Sequence, residues 1–152
     1  MADQQNIIQS KIVDTEWDAF WQELPANVTM LQPKDGLVLS LPYATGSAED
    51  VQLNKMLQAC QLADYNILQI EAGQKLAWHL LKGKLSPKHI LLLGILPEQL
   101  GISALFRLFS PNHFDECTWI PGLSLTEMEK QPDAKKQLWL NGLKPVFVDK
   151  TA

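Results

Sequence analysis

Residue types able to carry chemistry are sparse here: three histidines, two cysteines and scattered carboxylates in 152 residues. His79, His89 and His113 stand at no metal-ligand spacing with one another or with Cys60 and Cys117, so no metal site is expected. Nucleophilic catalysis needs a serine or cysteine presented beside a base, and no Gly-x-Ser-x-Gly elbow occurs. Phosphate chemistry fares no better, because Leu41-Pro42-Tyr43-Ala44-Thr45-Gly46-Ser47 holds neither Gly-x-Gly-x-x-Gly nor Gly-Lys-Ser/Thr. Glu98, Asp115 and Glu116 are acid–base candidates that nothing in the sequence pairs or shields. What remains for a small-molecule pocket is Pro42, Tyr43, Ser110 and His113, the last in Ser110-Pro111-Asn112-His113-Phe114 after a candidate strand. No cofactor is implied.

The elements that would position these groups alternate. Pro33-Lys34-Asp35-Gly36 signals a turn, and Leu37-Val38-Leu39-Ser40-Leu41 a short strand closed by Pro42. Ser47 caps a helix whose apolar face is Val51, Leu53, Met56, Leu57 and Cys60. A strand is predicted over 66–70, a helix from Gln74 to Leu81 with Gly83 as its cap, and a strand over 89–94. That last run, His89-Ile90-Leu91-Leu92-Leu93-Gly94, is apolar on both faces, as befits the middle of a covered parallel sheet. A fourth strand is expected over 104–109 and another segment near 117–120, then a turn and a final helix from Pro132 to Leu143. The pattern predicts a three-layer α/β/α domain with a mainly parallel central sheet of about four strands. Residues 1–30 read as an amino-terminal segment and 31–152 as a single α/β domain.

Charge is uneven: residues 1–70 carry three lysines and nine acids, residues 71–152 ten basic and eight acidic residues, for a net charge of −4. An acidic chain is not steered to DNA by its overall field, so no direct sequence-specific DNA binding is expected. Lys75, Lys82, Lys84 and Lys88 form the only basic cluster and read as a solvated face. No apolar run approaches the ~18 residues that cross a bilayer, and the amino terminus lacks a secretion pattern, so the expectation is a cytoplasmic protein without membrane partners. Cys60 and Cys117 read as reduced thiols, Cys60 on a core face.

The strongest binding signal lies before the alternating pattern. In residues 14–24, Trp17, Phe20, Trp21 and Leu24 fall at i, i+3, i+4 and i+7 and form one helical face. Asp14 or Thr15 caps that helix, acids favour its amino end, and Pro25 stops it. Such a face packs on its own domain, docks in a partner's groove, or meets its symmetry mate in a self-associating chain.

Near the carboxyl end, Ser124-Leu125-Thr126-Glu127-Met128-Glu129-Lys130-Gln131-Pro132-Asp133-Ala134-Lys135-Lys136-Gln137-Leu138-Trp139 resembles the ending of the psi subunit of bacterial DNA polymerase III. Leu125, Thr126, Pro132, Ala134, Lys135, Leu138 and Trp139 carry the match. The resemblance implies a uracil-DNA glycosylase-like fold and a non-catalytic replisome subunit. Its amino-terminal segment, with Trp17, Phe20, Trp21 and Leu24 as docking face, would meet the clamp loader, and its body a chi-like subunit. Unlike psi's more basic segment, this one carries Asp14, Glu16, Asp18 and Glu23. The glycosylase relatives place a water-activating acid after the first strand, whereas no acid lies between Leu37 and Ala48. Their second motif sets His before Pro-Ser-Pro, and here His113 follows Ser110-Pro111. The alternative is a glycosylase-like enzyme or nucleotide-binding protein using Pro42, Tyr43, Ser110 and His113.

Overall fold

Strands that are apolar on both faces need cover on both faces, and this requirement sets the architecture. The computed structural model describes residues 26–62 and 64–149. A short helix α1 (Ala26–Thr29) precedes β1 (Gly36–Ser40), α2 (Ala48–Ala59), β2 (Tyr65–Gln69), α3 (Trp78–Leu85) and β3 (His89–Leu93). A 3-10 turn (Pro97–Leu100) follows, then β4 (Asn112–Phe114), β5 (Cys117–Gly122), α4 (Leu125–Lys130), α5 (Pro132–Gln137) and a π-helix (Leu138–Val148).

The five strands lie in the order β2-β1-β3-β5-β4, which puts β3 at the centre as its apolar run demands. Neighbours pair in parallel except β4 with β5, so the protein is α/β with a mixed, mostly parallel sheet. Alternate residues of each strand point to opposite faces. Leu37, Leu39, Ile90, Leu92 and Trp119 therefore join Val28, Trp78, Leu81 and Leu85 in one buried cluster. Val38, Leu91, Leu93 and Ile120 join Leu53, Leu57, Met128 and Leu138 in a second. No helix among the described residues is long and apolar enough to cross a membrane.

Several elements differ from the sequence-based expectation. Residues 104–109 form no strand: Leu105 is 98% exposed, and the Asn112 side chain closes the loop by accepting from Arg107 N at 2.9 Å and donating to Arg107 O at 3.0 Å. The extra strand is instead β4, joined to β5 by Asp115 and Glu116, both at positive φ (53° and 64°) as a two-residue hairpin turn requires. The second helix starts at Trp78 rather than Gln74, because backbone and side-chain bonds to Gln99 hold Leu76 and Gln74 in a loop. Gly83 lies inside that helix, and Ser86 in the left-handed region ends it. Residues 125–130, expected as part of a turn, are helical, with Ser124 Oγ accepting from Glu127 N at 3.2 Å. The final helix keeps α winding only to Gln137, then continues as π-helix to Val148. Wider winding suits Pro145, which has no N–H to give to an α-helical ladder.

Candidate functional site

In an open parallel sheet, ligands bind outside the carboxyl ends of the strands where the direction of winding reverses. Here the chain passes from β1 to β2 on one side and returns across β1 to β3 on the other, so that point lies between β1 and β3. A crevice of about 460 Å³ opens beside it over the carboxyl ends of β3 and β5, lined by residues including Leu41 from the β1 side and Gly94, Leu96, Phe106, Leu123 and Ser124. Gly94 has φ of 83°, and a Cβ on it would stand 2.8 Å from that of Ser124, so only glycine fits between β3 and the start of α4. The Ser124 hydroxyl is already engaged as the α4 cap. Leu96, Leu105 and Leu108 are 58%, 98% and 49% exposed around the opening, and the charged lining groups are Glu98 and Glu127. Such a surface is suited to an apolar group, each leucine buried there contributing on the order of 1.5–3 kcal/mol.

A larger groove of about 630 Å³ runs between α2 and the α5–π-helix segment, lined by residues including Val51, Lys55, Met56, Lys135, Trp139 and Leu143. Helix α2 buries Leu53 and Leu57 at i and i+4 against the sheet. Val51, expected on that same face, is 46% exposed and turns toward the groove instead, beside half-buried Met56. Trp139 is half-buried against the core cluster beneath, so its ring is held rather than free. The two walls each carry a lysine, Lys55 from α2 and Lys135 from α5, the latter 3.8 Å from Glu129 Oε1.

At the opposite end of the sheet the polar groups serve the fold. Asp115 Oδ2 accepts from Trp78 Nε1 at 2.7 Å, and Oδ1 pairs with Lys82 Nζ at 3.0 Å. Lys82 foremost, then Trp78, holds the Asp115 carboxyl below its ordinary range. Lys88 lies 3.9 Å from Asp35, so two lysines of the basic cluster face carboxylates. His89 is half-buried with its ring 5.0 Å from that of Phe147, and burial lowers its pKa. Both cysteines are free and buried, and burial pushes the Cys60 thiol up to about 12. No group of three or more His, Cys, Asp or Glu able to hold a metal occurs among the described residues.

No protein family, curated protein or solved structure matches the chain.

The docking face Trp17, Phe20, Trp21 and Leu24 lies outside the described residues. Pro42, Tyr43, Ser110 and His113 are described, and they do not converge. Pro42 and Tyr43 follow the carboxyl end of β1, where Ser40 is in register with Leu93, and Leu93 with Gly122. His113 pairs with Thr118, which is in register with His89 at the amino end of β3, four strand positions or about 13 Å away along the sheet. Ser110 precedes β4 at the far edge, with β3 and β5 between it and β1. Sequence reasoning passed over Val51 and Met56 as groove residues and Leu96, Leu105 and Leu108 as crevice residues. On α2 the signal was present, since its apolar stripe is wider than one packing face needs.

Proposed function

We propose that this chain is a non-catalytic, protein-binding subunit of the psi kind, an accessory component of a bacterial DNA polymerase III holoenzyme that joins the clamp loader to other replisome proteins in the cytoplasm. One observation carries the reading. Of the residues matching the psi ending, Leu125, Ala134 and Leu138 are buried in packing, whereas Lys135 and Trp139 line the open groove. A motif that served folding alone would have no need of a basic residue and a tryptophan on an accessible wall. The apolar crevice at the strand ends supports a binding role in the same way, since it offers surface for an apolar side chain. A glycosylase-like arrangement of the sheet belongs to the same proposal and draws on its mostly parallel strands and strand-end crevice.

The test is affinity purification of the tagged full chain from its host beside the Trp17→Ala/Trp21→Ala variant, read by mass spectrometry and repeated with purified clamp loader. Clamp-loader subunits recovered by the wild type alone are expected. Their absence from both, or activity on uracil-containing DNA that His113→Ala abolishes, overturns the proposal.

A further inference from the structure

The crevice at the strand ends is walled by layers that cover opposite faces of the sheet. The 3-10 turn Pro97–Leu100 buries Leu100, with Ile102 after it, alongside Leu37, Leu92 and Trp119 on one face. Helix α4 buries Leu125 and Met128 alongside Val38, Leu91 and Ile120 on the other. Each wall is fixed by hydrogen bonds of its own. The buried Gln99 side chain accepts from Leu96 N at 3.1 Å and donates to Gln74 O at 2.9 Å, while Ser124 Oγ accepts from Glu127 N at 3.2 Å. The loop that carries Leu105 and Leu108 is closed by Asn112. A fixed frame thus holds the rim leucines at the surface, and little conformational freedom is lost from this side when a partner seats on them.

The charges of the crevice have one sign. Its ionisable lining residues are Glu98 on the turn and Glu127 on α4, with no lysine, arginine or histidine among them. Both carboxylates are exposed, one on each wall, and neither forms an ion pair among the described residues. They repel nucleic acid and acidic lipid headgroups and attract a cation. The apolar surface also continues out of the cavity onto Leu105, which is 98% exposed, so covering it takes an occupant that extends over the rim. A peptide segment does this, whereas a small amine enclosed by the walls does not. Residues 1–25 of this chain have the wrong charge for the rim, one lysine against five acids, and the net charge of −4 sets a second copy at the same disadvantage.

We propose that the crevice receives a segment of a partner protein in which a large apolar side chain stands beside lysine or arginine. The apolar side chain enters between the turn and α4 and covers Leu96, Leu105 and Leu108, and the basic groups meet Glu98 and Glu127. These residues are distinct from the Trp17 and Trp21 stripe of the proposed contact with the clamp loader, so the two readings fail independently.

Selection of a phage-displayed library of random peptides on the full chain tests this, with the enriched peptides synthesised and titrated by fluorescence anisotropy. Enriched sequences should join large apolar residues to lysine or arginine. Glu98→Gln/Glu127→Gln should weaken their binding roughly fivefold at low ionic strength and less in high salt. Leu105→Ser and Leu108→Ser should each weaken it roughly tenfold, all at the wild-type melting temperature. Reselection on Glu98→Lys/Glu127→Lys should enrich acidic sequences instead. No enrichment, enriched peptides without basic residues, or binding indifferent to both the carboxylate and the leucine variants overturns the proposal. So does tighter binding by Trp17→Ala/Trp21→Ala, which would assign the crevice to the chain's own amino-terminal segment, or self-association that Leu105→Ser abolishes, which would assign it to a second copy.

Discussion

Two helical glycines should respond to the same substitution with opposite signs. Gly142 lies in the π-helix where it crosses β5, and a Cβ there would stand 2.8 Å from Ile120 Cγ2 and 3.3 Å from the Phe109 carbonyl oxygen. Ile120 is fully buried, and Phe109 is fixed at φ 59° with its N–H bonded to Pro121 O, so neither neighbour gives way easily. Overpacking of this kind costs about 1–3 kcal/mol. In a domain near this size each kcal/mol moves Tm by roughly 2–4 °C, so Gly142→Ala should melt about 2–12 °C lower. Gly83 lies inside α3 with nothing within 4 Å of an added Cβ. There alanine restricts the unfolded chain and suits the helix, a gain of about 0.4–1 kcal/mol, or roughly 1–4 °C. Thermal melts with urea titrations at one pH measure both. A Gly142→Ala protein as stable as wild type would refute the close crossing of the π-helix over β5. Because Trp139 and Leu143 flank that crossing, the same variant should also weaken whatever the groove binds.

Asp115→Asn should cost about 1 kcal/mol at neutral pH, since it removes a charged acceptor from Trp78 and a half-exposed pair with Lys82. The folded carboxyl titrates below its ordinary 3.8, so that stabilisation is complete above this value and lost as pH falls through the folded pKa. Urea titrations of both proteins should accordingly converge in strong acid, and a gap that persists there would contradict the assignment. His89 has the opposite charge chemistry but the same direction of effect. Burial lowers its pKa below 6.5, outweighing the raising effect of Asp35, while Lys88 lowers it further. The unfolded chain then binds more protons, so stability should fall as pH drops through 6.5 and level off below the folded value, a slope absent in His89→Gln. Thiol labelling at about pH 8 should find Cys60 and Cys117 inert in the native protein and both reactive in denaturant, and fast native labelling would refute their burial.

The core of the fold was legible because burial writes itself into periodicity. The central place of β3 follows from a run with no polar face, and the start of α2 from Ser47, whose Oγ accepts from Asp50 N at 3.3 Å. The misplaced elements are those whose conformation depends on a distant partner. Residues 104–109 have strand-like apolarity, yet the Asn112 side chain ties Arg107 into a loop. The two-residue turn Asp115-Glu116 carries no glycine or asparagine, and it is stabilised from α3 through Trp78 and Lys82, more than thirty residues away in sequence. The candidate pocket residues stand apart for a related reason: Tyr43 follows β1 and His113 lies within β4, and only the register shows that they lie toward opposite ends of the sheet.

Four groups with reactive side chains are engaged in holding the fold. Asp115 fastens the hairpin, Cys117 Sγ lies 3.2 Å from the Pro87 carbonyl oxygen, Ser124 caps α4, and His89 packs on Phe147. The apolar side chains are divided between the two buried clusters and the surface. Met30, Leu140 and Val148 are exposed away from either cavity, whereas Leu96, Leu105 and Leu108 gather around the crevice at the strand ends and Val51 lines the groove. Isolated exposed leucines call for no explanation, but clusters around a cavity do. The energy such clusters offer is released only on burial, about 1.5–3 kcal/mol for each large side chain. Leu105→Ser should therefore leave Tm unchanged while weakening a partner seated in the crevice by roughly tenfold or more. The same change at Leu92, fully buried in β3, should cost several kcal/mol of stability, of the order seen on truncating core leucines. If both substitutions merely destabilised the fold, the crevice leucines would be packing residues and the case for a binding surface there would fail.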